Sequence, residues 1–248
     1  MYIFKLDLFW LTIAPTYYWL MYVLWFIFGY FIVKNELNLK TKKIDSLLLY
    51  IFLWVVLWWR IWYILFYDLA YYIENPINII KTWQWWMSFH GWVIWVIIAM
   101  FLFSKKHKFS FLKLSDAICY SLPFWLFFWR IWNYINKELL WFSPYSWPLA
   151  IYKNWEYFFP SALLEAVLEW IVLFFILRYF KNNKKLKKWQ IAALFLIFYA
   201  SFRIFVEAFF RLPDSHIWYI FWFLTMWEIL SFPMLLVWLY YYIKLWKK

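Results

Sequence analysis

Among the ionisable side chains within or at the ends of long apolar stretches, nine form an outer-half set: Arg60, His90, Arg130, Glu138, Glu165, Glu169, Arg203, Glu207 and Arg211. Charge is costly in such surroundings, so residues of this kind are functional candidates by default. Spacing indicates which of them can act together. Arg130, Asn133 and Asn136 recur every three residues, which lets them line one face of a helix end, and Glu138 follows directly. Arg203 and Glu207 are four apart, close enough on a helix for the carboxylate to orient the guanidinium. Glu165 and Glu169 share that spacing and can receive other arginines. Arginines gathered at one depth suit an anion, most simply a phosphate, held by charge-assisted forks. The same spacings also suit a structural ion-pair network closing a helix bundle. In isolation His90 reads as a hydrogen-bonded packing residue, Tyr18 as an interfacial aromatic and Asp116 as a cap for its own helix. Three scattered histidines and one cysteine do not make a usual zinc set, so no metal or other cofactor is expected. Cys119 lies in an apolar run and reads as an inert packed thiol with no disulfide partner.

The elements that must position these residues are membrane spans. The chain has 248 residues, 68% hydrophobic and 15% charged, against roughly 45–50% and about 25% for globular chains. A soluble core of this length cannot hide so much apolar surface, whereas a bilayer takes it as solvent. A soluble enzyme, a disulfide scaffold and a disordered chain are excluded. Stretches of about 20 apolar residues are needed to span, and seven are present, near 13–33, 47–67, 85–104, 114–134, 160–180, 189–209 and 217–243. Lysines cluster in alternate gaps: Lys34 to Lys43, Lys105 to Lys108, Lys181 to Lys188, and Lys244 to Lys248. Positive-inside bias then places the N-terminus outside and the C-terminus in the cytoplasm.

The reading is an all-α polytopic membrane protein of seven transmembrane helices, forming one integral-membrane domain over 1–248. A small extracytoplasmic cap at 136–159 joins spans four and five. Residues 1–12 are expected to lie on the membrane surface. The net charge of +12 then reflects topology and contact with anionic membrane lipids, with no nucleic-acid partner. Arg60, Arg130, Arg203 and His90 all fall toward the outer leaflet.

Several stretches resemble the prolipoprotein diacylglyceryl transferase family. Met87-Ser88-Phe89-His90-Gly91 is similar to its MSFHGG element, and Arg130-Ile131-Trp132-Asn133-Tyr134-Ile135-Asn136-Lys137-Glu138 to its GRxGNFxNxE signature. Tyr17 to Tyr22, Trp58 to Tyr63, Pro160-Ser161 with Glu165, Phe202-Arg203 with Glu207, Arg211 to Asp214, and Leu230 to Met234 follow in similar order over nearly the whole chain. The resemblance implies a transferase of the bacterial cytoplasmic (inner) membrane, with its site toward the outer leaflet. It would move the diacylglyceryl group of phosphatidylglycerol onto the lipobox cysteine of a preprolipoprotein signal peptide. It implies phosphate contacts from Arg130 and Arg203, and head-group placement by Tyr18, Arg60, Asn133 and Asn136. Glu138 and Glu207 would orient the arginines, and His90 is the candidate base. The chain departs from the family at Phe159, Ala162 and Leu164, where His, Gln and Tyr stand, and the gap from Glu207 to Arg211 is one residue longer than the family's, so the resemblance assigns Arg211 no role. Those departures leave open a catalytically silent member. A membrane transporter or binding protein for an anionic solute or lipid is the alternative class, but it needs binding groups along a midplane path.

Glycine usage is anomalous. The chain has 25 Trp and 2 Gly, where roughly 17 Gly are ordinary at this length and membrane helices favour small residues for close contact. Where the family has Gly this chain repeatedly has Trp, among them positions 19, 58, 59, 129, 132, 170 and 189. One such swap in a packed interface costs about 1–3 kcal/mol, and many together exceed a total stability of roughly 5–15 kcal/mol. The pattern fits a gene in which UGA encodes glycine, read through a code in which it encodes tryptophan. Codons UGG at 58, 59, 129 and 132 would refute this.

Overall fold

The computed structural model describes residues 6–8, 11–13, 17–67, 69–76, 89–137, 140–141, 148–153, 155–183, 186–210, 231–232, 235–236, 238–240 and 242–244. Most of these are helical. The helices are α1 (Tyr17–Leu37), α2 (Thr41–Tyr67), α3 (Leu69–Glu74), α4 (Phe89–Lys106), α5 (Phe111–Ile135), α6 (Ser161–Ala166), α7 (Leu173–Asn183) and α8 (Gln190–Phe210). A π-helical stretch, Val167–Val172, joins α6 to α7. Helices occupy six of the seven expected spans, while most of 217–243 lies outside the described residues. Among the described residues α5 and α8 are long and apolar enough to cross a membrane.

The expectation of an all-α chain is corrected to mostly helical. Leu6–Leu8 (β1) pairs antiparallel with Leu11–Ile13 (β2). Ile13 is thus in a strand, and the first helix starts at Tyr17, four residues later than expected. Pro15 explains the delay, since it disfavours the helical region for the residue before it. In the expected cap, Leu140–Trp141 (β3), Ile151–Lys153 (β4) and Glu156–Pro160 (β5) form a three-stranded sheet in the order β3-β5-β4. β5 ends on Pro160, which has no N–H to donate and so suits both a strand end and a helix start.

The chain divides into two compact units, residues 34–115 and residues 1–33 with 116–248. In the first, α2 packs on α4 around Ile44, Leu47, Ala99, Met100 and Phe103. Ser46 Oγ lies 3.4 Å from His107 Nε2, and Lys106 sits over the Tyr50 ring at 5.2 Å. The start of α2 and the end of α4 therefore meet, which gathers two of the lysine clusters at one end of the unit.

In the second unit Tyr120, Leu126, Leu173, Leu177, Ile191, Leu194 and Phe195 form the core. Ala162, Ala193 and Ala200 are fully buried, taking the close-contact role glycine has in other membrane bundles. Cys119 is a half-buried free thiol packed against this core. Asp116 does not cap its own helix. Ser110 takes that position, its Oγ accepting from Lys113 N–H at 3.4 Å. Asp116 reaches across to the start of α8, accepting from Trp189 N–H at 2.6 Å and Ala192 N–H at 2.9 Å.

Candidate functional site

Three helical segments of the second unit deliver the site. Arg130 and Asn133 lie in the last turns of α5, Glu165 in α6, Glu169 in the π-helical stretch, and Arg203 with Glu207 in α8. All six are buried, Glu165 and Glu169 completely. A buried charge is tolerated only when paired and hydrogen-bonded, and the geometry meets that demand. Arg130 donates from Nε to Glu169 Oε2 at 3.0 Å and from Nη2 to Glu169 Oε1 at 3.3 Å, a two-pronged fork. Its Nη1 donates to Asn133 Oδ1 at 3.4 Å. Arg203 donates from Nη1 to Glu165 Oε1 and from Nη2 to Glu207 Oε2 at 3.2 Å.

Glu165 joins the two halves. While its Oε1 accepts from Arg203, its Oε2 lies 3.1 Å from Arg130 Nε. Arg203 Nη1 is also 3.8 Å from Glu169 Oε1. Both guanidiniums are thus locked onto one carboxylate pair that a single helical strip presents. Among the described residues three glutamates face two arginines, so each guanidinium is met by carboxylates. The forks orient both guanidinium planes.

The structure brings Arg130, Asn133, Arg203 and Glu207 together. Asn136 lies in the turn beyond α5 and is exposed, its N–H donating to Trp132 O at 3.0 Å. Tyr18, Arg60 and His90 have their backbones in α1, α2 and α4, but their side chains lie outside the described set, and so do residues Glu138 and Arg211 entirely. Glu165 and Glu169 carry more of the geometry than their sequence signal suggested. Their four-residue spacing marked them as arginine acceptors, but which arginines they meet depends on the packing of α5 and α8. Phe159, at one of the departures, packs its ring against Phe210 at 5.8 Å between centroids, and Ala162 is fully buried.

The family described as prolipoprotein diacylglyceryl transferase matches residues 7–244. A phosphatidylglycerol–prolipoprotein diacylglyceryl transferase of Rickettsia bellii (strain OSU 85-389) is 42% identical over 241 residues, covering 94% of this chain and 91% of the relative. A protein of the same name from Rickettsia felis is 41% identical over 235 residues, covering 91% and 90%. Another from Rickettsia canadensis is 40% identical over 233 residues, covering 90% of each.

Proposed function

The chain belongs to the prolipoprotein diacylglyceryl transferase family, and from that premise we propose that the Arg130–Glu165–Glu169–Arg203 lattice is where it handles phosphatidylglycerol. The protein is a membrane transferase of lipoprotein biosynthesis, moving a diacylglyceryl group from phosphatidylglycerol to a prolipoprotein. The acceptor is the lipobox cysteine of the signal peptide. Its sulfur attacks the glyceryl carbon, an S–C bond forms, the C–O bond to phosphate breaks, and glycerol phosphate leaves.

The chemical demands fall on groups this chain supplies. The leaving phosphate keeps its negative charge, so fixed donors aimed at its oxygens lower the barrier in a partly dry site. The bonds to Glu169 and Asn133 take three of the five N–H groups of Arg130, and the guanidinium plane is already oriented. Arg203 is held in the same way by Glu165 and Glu207. Asn133, Asn136, Tyr18 and Arg60 place the head group, and Glu138 supports the arginines from the cap. His90 takes the thiol proton, since its ordinary pKa near 6.5 lets it accept at neutral pH. That proton ends on the departing phosphate.

The observation that carries this reading is a buried pair of arginines bridged by Glu165, with Glu169 also reaching both, in a chain of this family. The bilayer arrangement proposed with it is seven spans in the cytoplasmic (inner) membrane, N-terminus out, C-terminus in, with the site toward the outer leaflet. The meeting of two lysine clusters through Ser46 and His107 supports one cytoplasmic end. Anionic lipids would neutralise that end. The test is reconstitution in phosphatidylglycerol vesicles with a lipobox peptide. Thioether product and released glycerol phosphate in equal amounts are expected; solute flux without product would support the transporter instead.

A further inference from the structure

Six described non-glycine residues have positive φ, Asn38, Lys108, Lys137, Leu149, Trp155 and Trp189, and the two tryptophans stand at turns whose geometry favours glycine. In the first, β4 and β5 pair with Lys153 opposite Glu156, so the connection between them is the dipeptide Asn154–Trp155. Two-residue hairpin loops favour the turn type with positive φ at both central residues, for which Asn-Gly is the preferred pair. Trp155 has φ 68° and is 90% exposed. No packing of the indole offsets that backbone conformation.

The second is Trp189, with φ 83°. Its carbonyl accepts from Ala193 N–H at 3.0 Å, which makes it the N-cap of α8. N-caps are Asn, Asp, Ser, Thr or Gly, and within that set a positive φ comes most readily to Gly. An indole is a donor only and cannot cap. Asp116 serves instead from α5. A bulky residue at positive φ is a genuine outlier. Meanwhile the two glycines, Gly29 and Gly91, lie inside α1 and α4, and no described glycine has positive φ. The chain has 25 Trp, and of the residues at positive φ Trp155 and Trp189 carry the largest side chains.

We infer that residues 155 and 189 are glycine in the protein as its own ribosomes make it, specified by UGA codons. Different bacterial codes read UGA as tryptophan or as glycine, and the second reading satisfies both turns. An aromatic anchor at the membrane interface explains an exposed indole but not the sign of φ. The inference stands on backbone geometry and is independent of the assigned activity.

Tandem mass spectrometry of the protein isolated from the cells that encode it reads both positions directly. Glycine at 155 and 189 is expected, and tryptophan at either one overturns the inference. A second arm uses the all-tryptophan protein made in another host from UGG codons. Trp155→Gly and Trp189→Gly should each raise its melting temperature in detergent above that of the matching Trp→Ala variant, since alanine does not relieve a positive φ. Equal gains from glycine and alanine would overturn the conformational argument. Where the all-tryptophan protein yields no folded material, the mass spectrum decides.

Discussion

Glu165 is the residue through which the two arginines share one geometry: one oxygen meets Arg203 and the other lies 3.1 Å from Arg130. Removing it breaks the bridge while Arg130 keeps Glu169 and Arg203 keeps Glu207, and a lost hydrogen bond to a charged group costs about 1.5–3 kcal/mol. Glu165→Ala should therefore lower the melting temperature of the detergent-solubilised protein as well as its turnover; an unchanged melting curve would show that the bridge carries no energy. Arg130→Lys and Arg203→Lys separate charge from fork. Lysine keeps the cation but loses the planar bidentate geometry, so labelled-lipid transfer should fall by roughly 10²–10³-fold, with near-normal rates removing the phosphate assignment. For His90 the sign follows from its protonation. A base acts when neutral, so the parental rate should decline toward acid pH. His90→Gln should lower the rate and erase that inflection. A variant that keeps the same pH profile would leave His90 a binding role.

At the scale of elements, what matters is how α5, the α6–π–α7 strip and α8 are set against one another. Asp116 ties α5 to the first turn of α8 by two backbone N–H bonds, at the end of α8 away from Arg203. Asp116→Ala should cost about 0.5–2 kcal/mol, as cap losses do. Because Asp116 touches none of the site residues, turnover per folded molecule should hold, and a selective loss of turnover would mean that the α8 start governs the site directly. The π-helical stretch begins two residues after Glu165 and contains Glu169, and such stretches occur frequently at functional sites. The helices themselves were legible from apolar length. Their starts were not, because Pro15 and Ser110 act through local conformation and capping that a hydropathy window does not see. The β3-β5-β4 sheet was missed for a related reason: its strands are two to five residues long and pair across a loop.

For the whole molecule, the proposed orientation rests on lysine placement. Lys153→Cys, in β4 of the cap, should react with a membrane-impermeant thiol reagent applied to intact cells. Lys108→Cys, beyond α4, should react only after permeabilisation. The opposite pattern would invert the topology. Cys119 is half-buried within the second unit's core and gives a low background.

Membrane class, the long helical stretches and family membership were decided by composition and motif order, because the bilayer imposes length and polarity on a chain one segment at a time and motifs are local strings. Pairing was decided elsewhere. That Arg130 takes Glu169, that Arg203 takes Glu165, and that Asp116 caps a distant helix depend on which faces of α5, α6 and α8 meet. Spacing along one helix says which side chains share a face, but only packing between helices says what that face meets.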